Sequence, residues 1–279
     1  MKRLDGKVAY ITGAARGQGR SHAIRMAEEG ADIIAVDLCA DIDRVCYPGA
    51  TQEDLAHTVK CVEDTGQRII ARTADVRDIS SLERAASEGI EMLGRIDIVV
   101  ANAGVLSSAP VLELDEDAWQ TVIDINLTGA WKTMKAVVPA LVERNQGGSV
   151  ILISSLLGLI AFPNIAHYVA AKHGVTGLMK SLATELAPNG IRVNSVHPGI
   201  VDTPMIMNES ILRLFTGGQS ARRENAEALM LNGHALSVPW IESVDVSNAV
   251  VYLASDESRY ITGSTMVIDA GASFPIKMR

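Results

Sequence analysis

Tyr168 and Lys172 stand four residues apart in the run Tyr168-Val169-Ala170-Ala171-Lys172. On a helix, that spacing puts both side chains on one face. A phenol at its ordinary pKa of about 10 is a poor base at neutral pH. A neighbouring ammonium favours the phenolate and lowers that pKa. The pair therefore suits proton abstraction from a hydroxyl group, with tyrosine as general base and lysine as its activator. Ser155 follows Ser154, thirteen residues before Tyr168. A serine hydroxyl at that point could hold the oxygen of a reacting alcohol. Asn126 falls inside a helical stretch, where a short polar side chain has modest propensity. Read alone, each residue also has an ordinary explanation: a tyrosine and lysine on a helix surface, an asparagine at a kink or as a satisfied core amide.

A second group of residues suits a dinucleotide. Thr12-Gly13-Ala14-Ala15-Arg16-Gly17-Gln18-Gly19 joins an apolar run to a helical one. Glycines Gly13, Gly17 and Gly19 would let the backbone turn tightly and approach a pyrophosphate, whose charge is favoured at a helix N-terminus. Such a loop is also found as a plain strand–helix turn. Asp37 closes the second apolar run, eighteen residues after Gly19. A carboxylate there accepts from ribose hydroxyls and repels a 2′-phosphate, favouring NAD over NADP. Arg16 pulls the other way, since a guanidinium in this loop could meet a 2′-phosphate. Asp75-Val76 and Asn102-Ala103-Gly104 end the third and fourth runs, where an adenine edge or a ribose could be met, although Asp, Asn and Gly are also common turn formers.

The elements that must position these residues alternate. Val8–Thr12, Asp32–Val36, Arg68–Thr73, Ile96–Ala101, Ser149–Ile153, Arg192–Val196 and Thr265–Ile268 read as strands. Helical patterns near 18–29, 52–65, 79–93, 116–144, 166–187 and 243–254 separate them. This alternation implies an α/β fold, a parallel sheet with helices on both faces. Pro188 stops the helix that carries Tyr168, and Asn189-Gly190 turns into the next strand. Two segments break the rhythm, 38–51 and 203–240. Both follow a strand, so both should lie at the ligand-binding end of the sheet.

Composition narrows the function classes. Of 279 residues, 48% are hydrophobic and 21% charged, as in an ordinary globular core. The net charge of −8 comes without a basic block, which argues against nucleic-acid binding. Cys39, Cys46 and Cys61 lack metal-ligand spacing and read as free thiols of a reducing compartment. His167 and His173 flank the Tyr168 pair without a second ligand, so no metal is expected. The first residues lead into a strand rather than a signal peptide. The longest nearly apolar run, 150–162, is shorter than the ~18 residues of a membrane span. The reading is cytoplasmic.

In combination and order, the glycine loop, Asn102-Ala103-Gly104, Ser155, Tyr168-x-x-x-Lys172 and Pro198-Gly199 resemble the short-chain dehydrogenase/reductase family, from Lys7 to about Gly271. Ala101 stands where many relatives carry a second asparagine. The resemblance implies a single domain over 1–279: a Rossmann-type doubly wound parallel sheet of about seven strands. It implies a catalytic tetrad of Asn126, Ser155, Tyr168 and Lys172 that acts on the CH–OH group of a substrate. Tyr168 would take the hydroxyl proton and Ser155 would position the oxygen. Lys172 would hold the nicotinamide ribose, and Asn126 a proton-relaying water. The cofactor contacts so implied are Gly13, Arg16, Gly17, Gln18, Gly19, Asp37, Leu38, Asp75, Val76, Asn102, Ala103, Gly104, Tyr168, Lys172, Pro198, Gly199, Ile200 and Thr203. A homotetramer built through the fourth and fifth helices and the last strand is also implied.

The 38–51 insertion, with Asp37-Leu38-Cys39 before it and Tyr47-Pro48 inside it, resembles a narrower subgroup, the carveol-dehydrogenase-like, mycofactocin-associated dehydrogenases. So does Val201-Asp202-Thr203-Pro204-Met205. That resemblance implies an insertion covering poorly exchanging NAD, with mycofactocin as electron acceptor. A decorative surface loop is the plainer alternative. A redox pair of Cys39 and Cys46 lacks motif spacing. Substrate specificity is expected in Leu156, Leu157, His167, Met205, Ile206, Met207, Phe215 and Trp240, a mostly apolar set that suits a lipophilic secondary alcohol. The methionines and Ile206 could equally cover the core. Two rivals stand beside this reading: an ordinary NAD-exchanging dehydrogenase for a steroid or hydroxyacyl substrate, and a catalytically silent NAD-binding regulator.

Overall fold

The computed structural model describes residues 2–218 and 222–273. Seven parallel strands form one sheet among them: β1 (Val8–Thr12), β2 (Asp32–Asp37), β3 (Ile69–Thr73), β4 (Ile98–Ala101), β5 (Gly148–Ile153), β6 (Ile191–Pro198) and β7 (Thr265–Ile268). Their order is β3-β2-β1-β4-β5-β6-β7, so the chain reverses its direction of growth between β1 and β4. Ligands of such sheets bind in the crevice at that switch. Every residue of β1 is buried, as a central parallel strand covered on both faces requires.

Alternate residues of the strands feed two separate cores. Tyr10, Ile34 and Val99 face α3 (Ile79–Leu93), α4 (Glu116–Ile123), α5 (Gly129–Arg144) and α6 (Ala166–Leu186). Ile11, Ile33 and Val100 face α1 (Gly17–Glu28), α2 (Gln52–Glu63) and α9 (Ser243–Ala254). Local signals fix the helix ends. Thr51 caps α2 in a reciprocal box with Asp54, Asp78 caps α3, and Gly94 closes α3 in the left-handed region.

Two expectations change. The single helix over 116–144 is interrupted by a π-turn at Asp124–Thr128, which contains Asn126. The 203–240 segment carries two helices, α7 (Glu209–Phe215) and α8 (Arg223–Gly233); its residues 219–221 lie outside the described residues. A lone bridge between Val201 and Ile241 closes the base of this excursion. A satellite core of Leu212, Ala226 and Met230 fills it, with Ile200, Met207 and Trp240 packed alongside.

Candidate active site

At the carboxyl ends of the strands lies a groove of roughly 1180 Å³, partly open to solvent. Its lining runs from the glycine loop to Tyr168 and Lys172, which suits an extended ligand. Gly13, Arg16, Gly17, Gln18 and Gly19 line its first wall. The glycines are obligatory. A Cβ on Gly19 would stand 2.0 Å from the carbonyl oxygen of Gly13, and Gly13 itself has φ +67° with Ala103 Cα 2.9 Å from where a Cβ would lie. Thr12 and Asn102 lock the loop to the end of β4. The Thr12 hydroxyl accepts from the amides of Asn102 and Ala103, and the Asn102 amide donates to the carbonyls of Thr12 and Gly13. Arg16, the N-cap of α1, offers no side-chain cap. The first-turn amides of α1 therefore remain available to an anion.

Asp37, Leu38, Asp75, Val76, Asn102, Ala103 and Gly104 also line the groove. The Asp37 carboxylate accepts from the amides of Ala15 (2.9 Å) and Cys39 (3.1 Å), which leaves each oxygen with a further lone pair. Asp75 holds Arg77 through both its oxygens. The guanidinium of Arg16 does not stand free for a 2′-phosphate, because it donates to the carbonyl of Pro48 in the 38–51 segment. A dinucleotide without that phosphate fits these residues: donors at the α1 N-terminus for the pyrophosphate, and a fixed carboxylate for the adenosine ribose.

The 38–51 segment is no decoration. Leu38, Ala40, Ile42, Val45, Tyr47 and Gly49 all form groove wall. Tyr47 is buried, and its hydroxyl accepts from the amide of Leu106 at 3.2 Å. Arg44 reaches Asp115 and Asp117 at the start of α4. The segment thus runs from the end of β2 across to the β4–α4 side. Cys39 is half-buried and Cys46 exposed, both as free thiols.

The reactive residues meet at the far wall. Tyr168 and Lys172 lie one turn apart on α6, both buried, with the ammonium 5.6 Å from the centre of the tyrosine ring. Burial pushes the Tyr168 phenol up to about 12, and the neighbouring Ser155 hydroxyl pulls the other way. Burial pushes the Lys172 ammonium down to about 8. Its Nζ donates to the carbonyl of Ile153 at 2.9 Å. The Ser154 hydroxyl donates to the Lys172 carbonyl at 3.0 Å, which ties the end of β5 to α6.

Asn126 has a structural part as well. Its side chain is spent on Val105, accepting from the amide and donating to the carbonyl, each at 2.8 Å. Several other expected contacts stand off the groove. His167 is wholly buried, with Nε2 2.8 Å from the Ser107 hydroxyl. Neighbours on a helix point about 100° apart, so His167 turns inward where Tyr168 turns to the groove. Leu156 is buried at the start of a 3₁₀ turn. Ile206, Met207 and Phe215 pack onto hydrophobic cores, as does Trp240, stacked under Arg223. Leu157 packs against the core. Met205 and Thr203 do line the groove. Pro198 ends β6, Gly199 packs on Asp269, and Ile200 joins the satellite core.

His197 escaped the sequence reading. Its Nδ1 lies 2.8 Å from the Ser155 carbonyl, and its Nε2 2.7 Å from the Ser195 hydroxyl. A carbonyl only accepts, so Nδ1 carries the proton. Burial pushes the imidazole down to about 4, which keeps it neutral. It fixes the backbone that presents Ser155. Its only sequence signal is its place beside Pro198-Gly199 at the end of a strand.

A family model described as short chain dehydrogenase matches residues 7–211. A (-)-trans-carveol dehydrogenase of Rhodococcus erythropolis is 51% identical over 276 residues, covering 98% of this chain and 99% of that protein. A trans-4-hydroxycyclohexanecarboxylate dehydrogenase of Sinomonas cyclohexanicum is 40% identical, covering 96% of this chain and 93% of that one. Among solved structures, carveol dehydrogenase from Mycobacterium avium in complex with NAD superposes with TM-score 0.96 at 50% identity, over 98% of this chain and 99% of that chain. With the glycine loop and the Tyr168–Lys172 pair gathered on one groove, and Ser155 beside Tyr168, the chain belongs to the short-chain dehydrogenase family.

Proposed function

We propose that this chain is an NAD-dependent dehydrogenase that oxidises the CH–OH group of a lipophilic secondary alcohol of the carveol type. The observation that carries the reading is the meeting of Tyr168 and Lys172 on the wall of a groove whose other end is the glycine loop and Asp37, with the Ser155 hydroxyl beside the Tyr168 phenol. Gly13, Gly17, Gly19 and the α1 amides would hold the pyrophosphate, Asp37 the adenosine ribose, and Lys172 the nicotinamide ribose. Bound there, NAD supplies the hydride acceptor. Ser155 orients the alcohol oxygen, and its carbonyl is fixed by His197. Tyr168 takes the hydroxyl proton. In the bare protein burial holds its phenol well above neutrality; a cationic nicotinamide and the Lys172 ammonium both favour the phenolate. Pro198, Gly199 and Ile200 support the nicotinamide end from behind, next to Thr203 on the groove wall.

The substrate is apolar and compact. Pro204 and Met205 are the apolar residues of the 203–240 segment that reach the groove, and a methionine adapts to varied ring shapes. His167, Leu156 and Ile206 shape that pocket from one layer behind. The NAD is captive in this reading, because the 38–51 segment crosses the groove, and mycofactocin takes the electrons in place of NAD exchange. The protein works as a cytoplasmic homotetramer. Exposed apolar residues support the assembly: Trp131 on α5, Leu159, Ile160 and Phe162 ahead of α6, and Val267 on the edge strand β7. Among the described residues, no helix is long and apolar enough to cross a membrane.

A single-turnover experiment tests the reading. The purified protein is mixed with carveol and related cyclic alcohols, with and without added NAD, and reduced nicotinamide is followed by absorbance. A burst without added NAD, sustained only by an artificial electron acceptor, is expected. Steady turnover that requires added NAD identifies an ordinary exchanging dehydrogenase. Tyr168→Phe should cut the chemical step by roughly 10²–10⁴-fold; full activity in that variant would refute the assigned base.

A further inference from the structure

Tyr47 takes no part in the chemistry of the tetrad, yet it is the one buried residue of the 38–51 segment. Its ring forms part of the groove wall, and its hydroxyl accepts from the amide of Leu106. Leu106 sits between two other fixed points. Val105 is held by Asn126, and Ser107 is bonded to His167, the neighbour of Tyr168. The tip of the segment is therefore fastened to the chain of contacts that ends at the reactive tyrosine.

Ile42 and Val45 also pack against the core, and the segment's two further polar ties to the rest of the fold are both exposed. Arg16 donates to the Pro48 carbonyl, and Arg44 lies 3.5 Å from Asp115 and 3.4 Å from Asp117. Exposed ion pairs contribute little and are screened by salt. A buried donor that loses its acceptor is costly, because it gives up water without regaining a partner. Ring burial and the Leu106 bond thus outweigh the two surface ties. The Tyr47 hydroxyl accepts from Leu106, and among the described residues no acceptor is recorded for its own proton. That proton is available to an oxygen in the groove.

We infer that Tyr47 is the latch of the 38–51 segment: it holds the segment across the groove and sets how fast the bound dinucleotide escapes. The inference rests on the reading of the groove as an NAD site. Wild type, Tyr47→Phe, Tyr47→Ala and Arg44→Ala are loaded with NAD and transferred into excess isotopically labelled NAD. The loss of unlabelled NAD is followed by rapid filtration, and the melting temperature of each variant is recorded. Tyr47→Phe should release NAD about tenfold faster than wild type, as expected for one lost buried hydrogen bond. Tyr47→Ala should be faster still and should also melt lower, because a buried ring is lost, whereas Tyr47→Phe should melt within a few degrees of wild type. Arg44→Ala should stay within about threefold, and the difference should vanish in 1 M salt. Wild-type release from Tyr47→Phe and Tyr47→Ala overturns the latch, as does release that merely follows a falling melting temperature in all variants. A wild type that itself exchanges NAD within seconds removes the captive-cofactor reading, while the ratio of rates between Tyr47→Phe and wild type still decides the latch.

Discussion

At the scale of the residue, two opposed forces act on the catalytic pair. Burial alone would keep Tyr168 protonated and would drive the proton off Lys172 at about pH 8. The ammonium is the charge on this chain that favours the phenolate, so the pair works where the lysine still holds its proton. Removing that charge raises the tyrosine pKa further. Lys172→Met should therefore shift the alkaline rise of alcohol oxidation to higher pH and lower turnover at neutral pH by about a hundredfold or more, which a pH–rate profile reads directly. The positions of Tyr168, Lys172 and Ser155 were legible because a four-residue helical spacing and a strand end fix orientation locally. The orientation of His167 was legible in principle from the same helical geometry. Its partner Ser107 was not, since nothing near His167 in the sequence names a residue 60 positions earlier. His197 and Tyr47 share that limit. Each acts through a backbone group that only tertiary folding brings near.

At the scale of the element, the 38–51 segment shows how a loop without regular structure can still be well defined. Cys39 and Arg44 both adopt positive φ, a conformation that non-glycine residues take up at some cost. Gly49 packs so closely that an added Cβ would fall 2.1 Å from the carbonyl oxygen of Ala40. Gly49→Ala should force the segment off its path and speed NAD release. The core is untouched, so the melting temperature should move by only a few degrees, within the ~2–4 °C that 1 kcal/mol shifts a protein of this size. Paired release and melting measurements check this. The sequence marks the segment as an insertion by its length, and strand and helix periodicity place nearly every regular element around it. The π-turn at Asp124–Thr128 left no such mark. One surplus residue inside a helix leaves the apolar pattern on either side intact, and only the hydrogen-bond ladder records it. Helices α7 and α8 were missed because they cover a small satellite core instead of the sheet, which weakens their periodic pattern.

At the scale of the whole molecule, buried neutral imidazoles couple stability to pH. Burial holds His22 down to about 3 and His197 down to about 4, and it lowers His167 in the same direction. Unfolded histidines take up protons below about pH 6.5, whereas His22 and His197 do not until much lower pH. The unfolded chain thus binds more protons between pH 6.5 and about 4, and stability falls as pH drops through that window. Each site adds up to ~1.4 kcal/mol per pH unit. Denaturant melts at pH 6.0 and 5.0 should show this slope, and His22→Gln should remove about one site's share. The sheet order itself has a different consequence. In the captive-cofactor reading proposed above, the strap that joins β2's side of the switch to α4's side would make the dinucleotide a built-in part. A subunit that keeps its nicotinamide through turnover stores one hydride and must be discharged before it can accept another. Donor and acceptor then visit the same cleft in alternation, never together, and a wall such as Met205 must suit two unlike guests in succession.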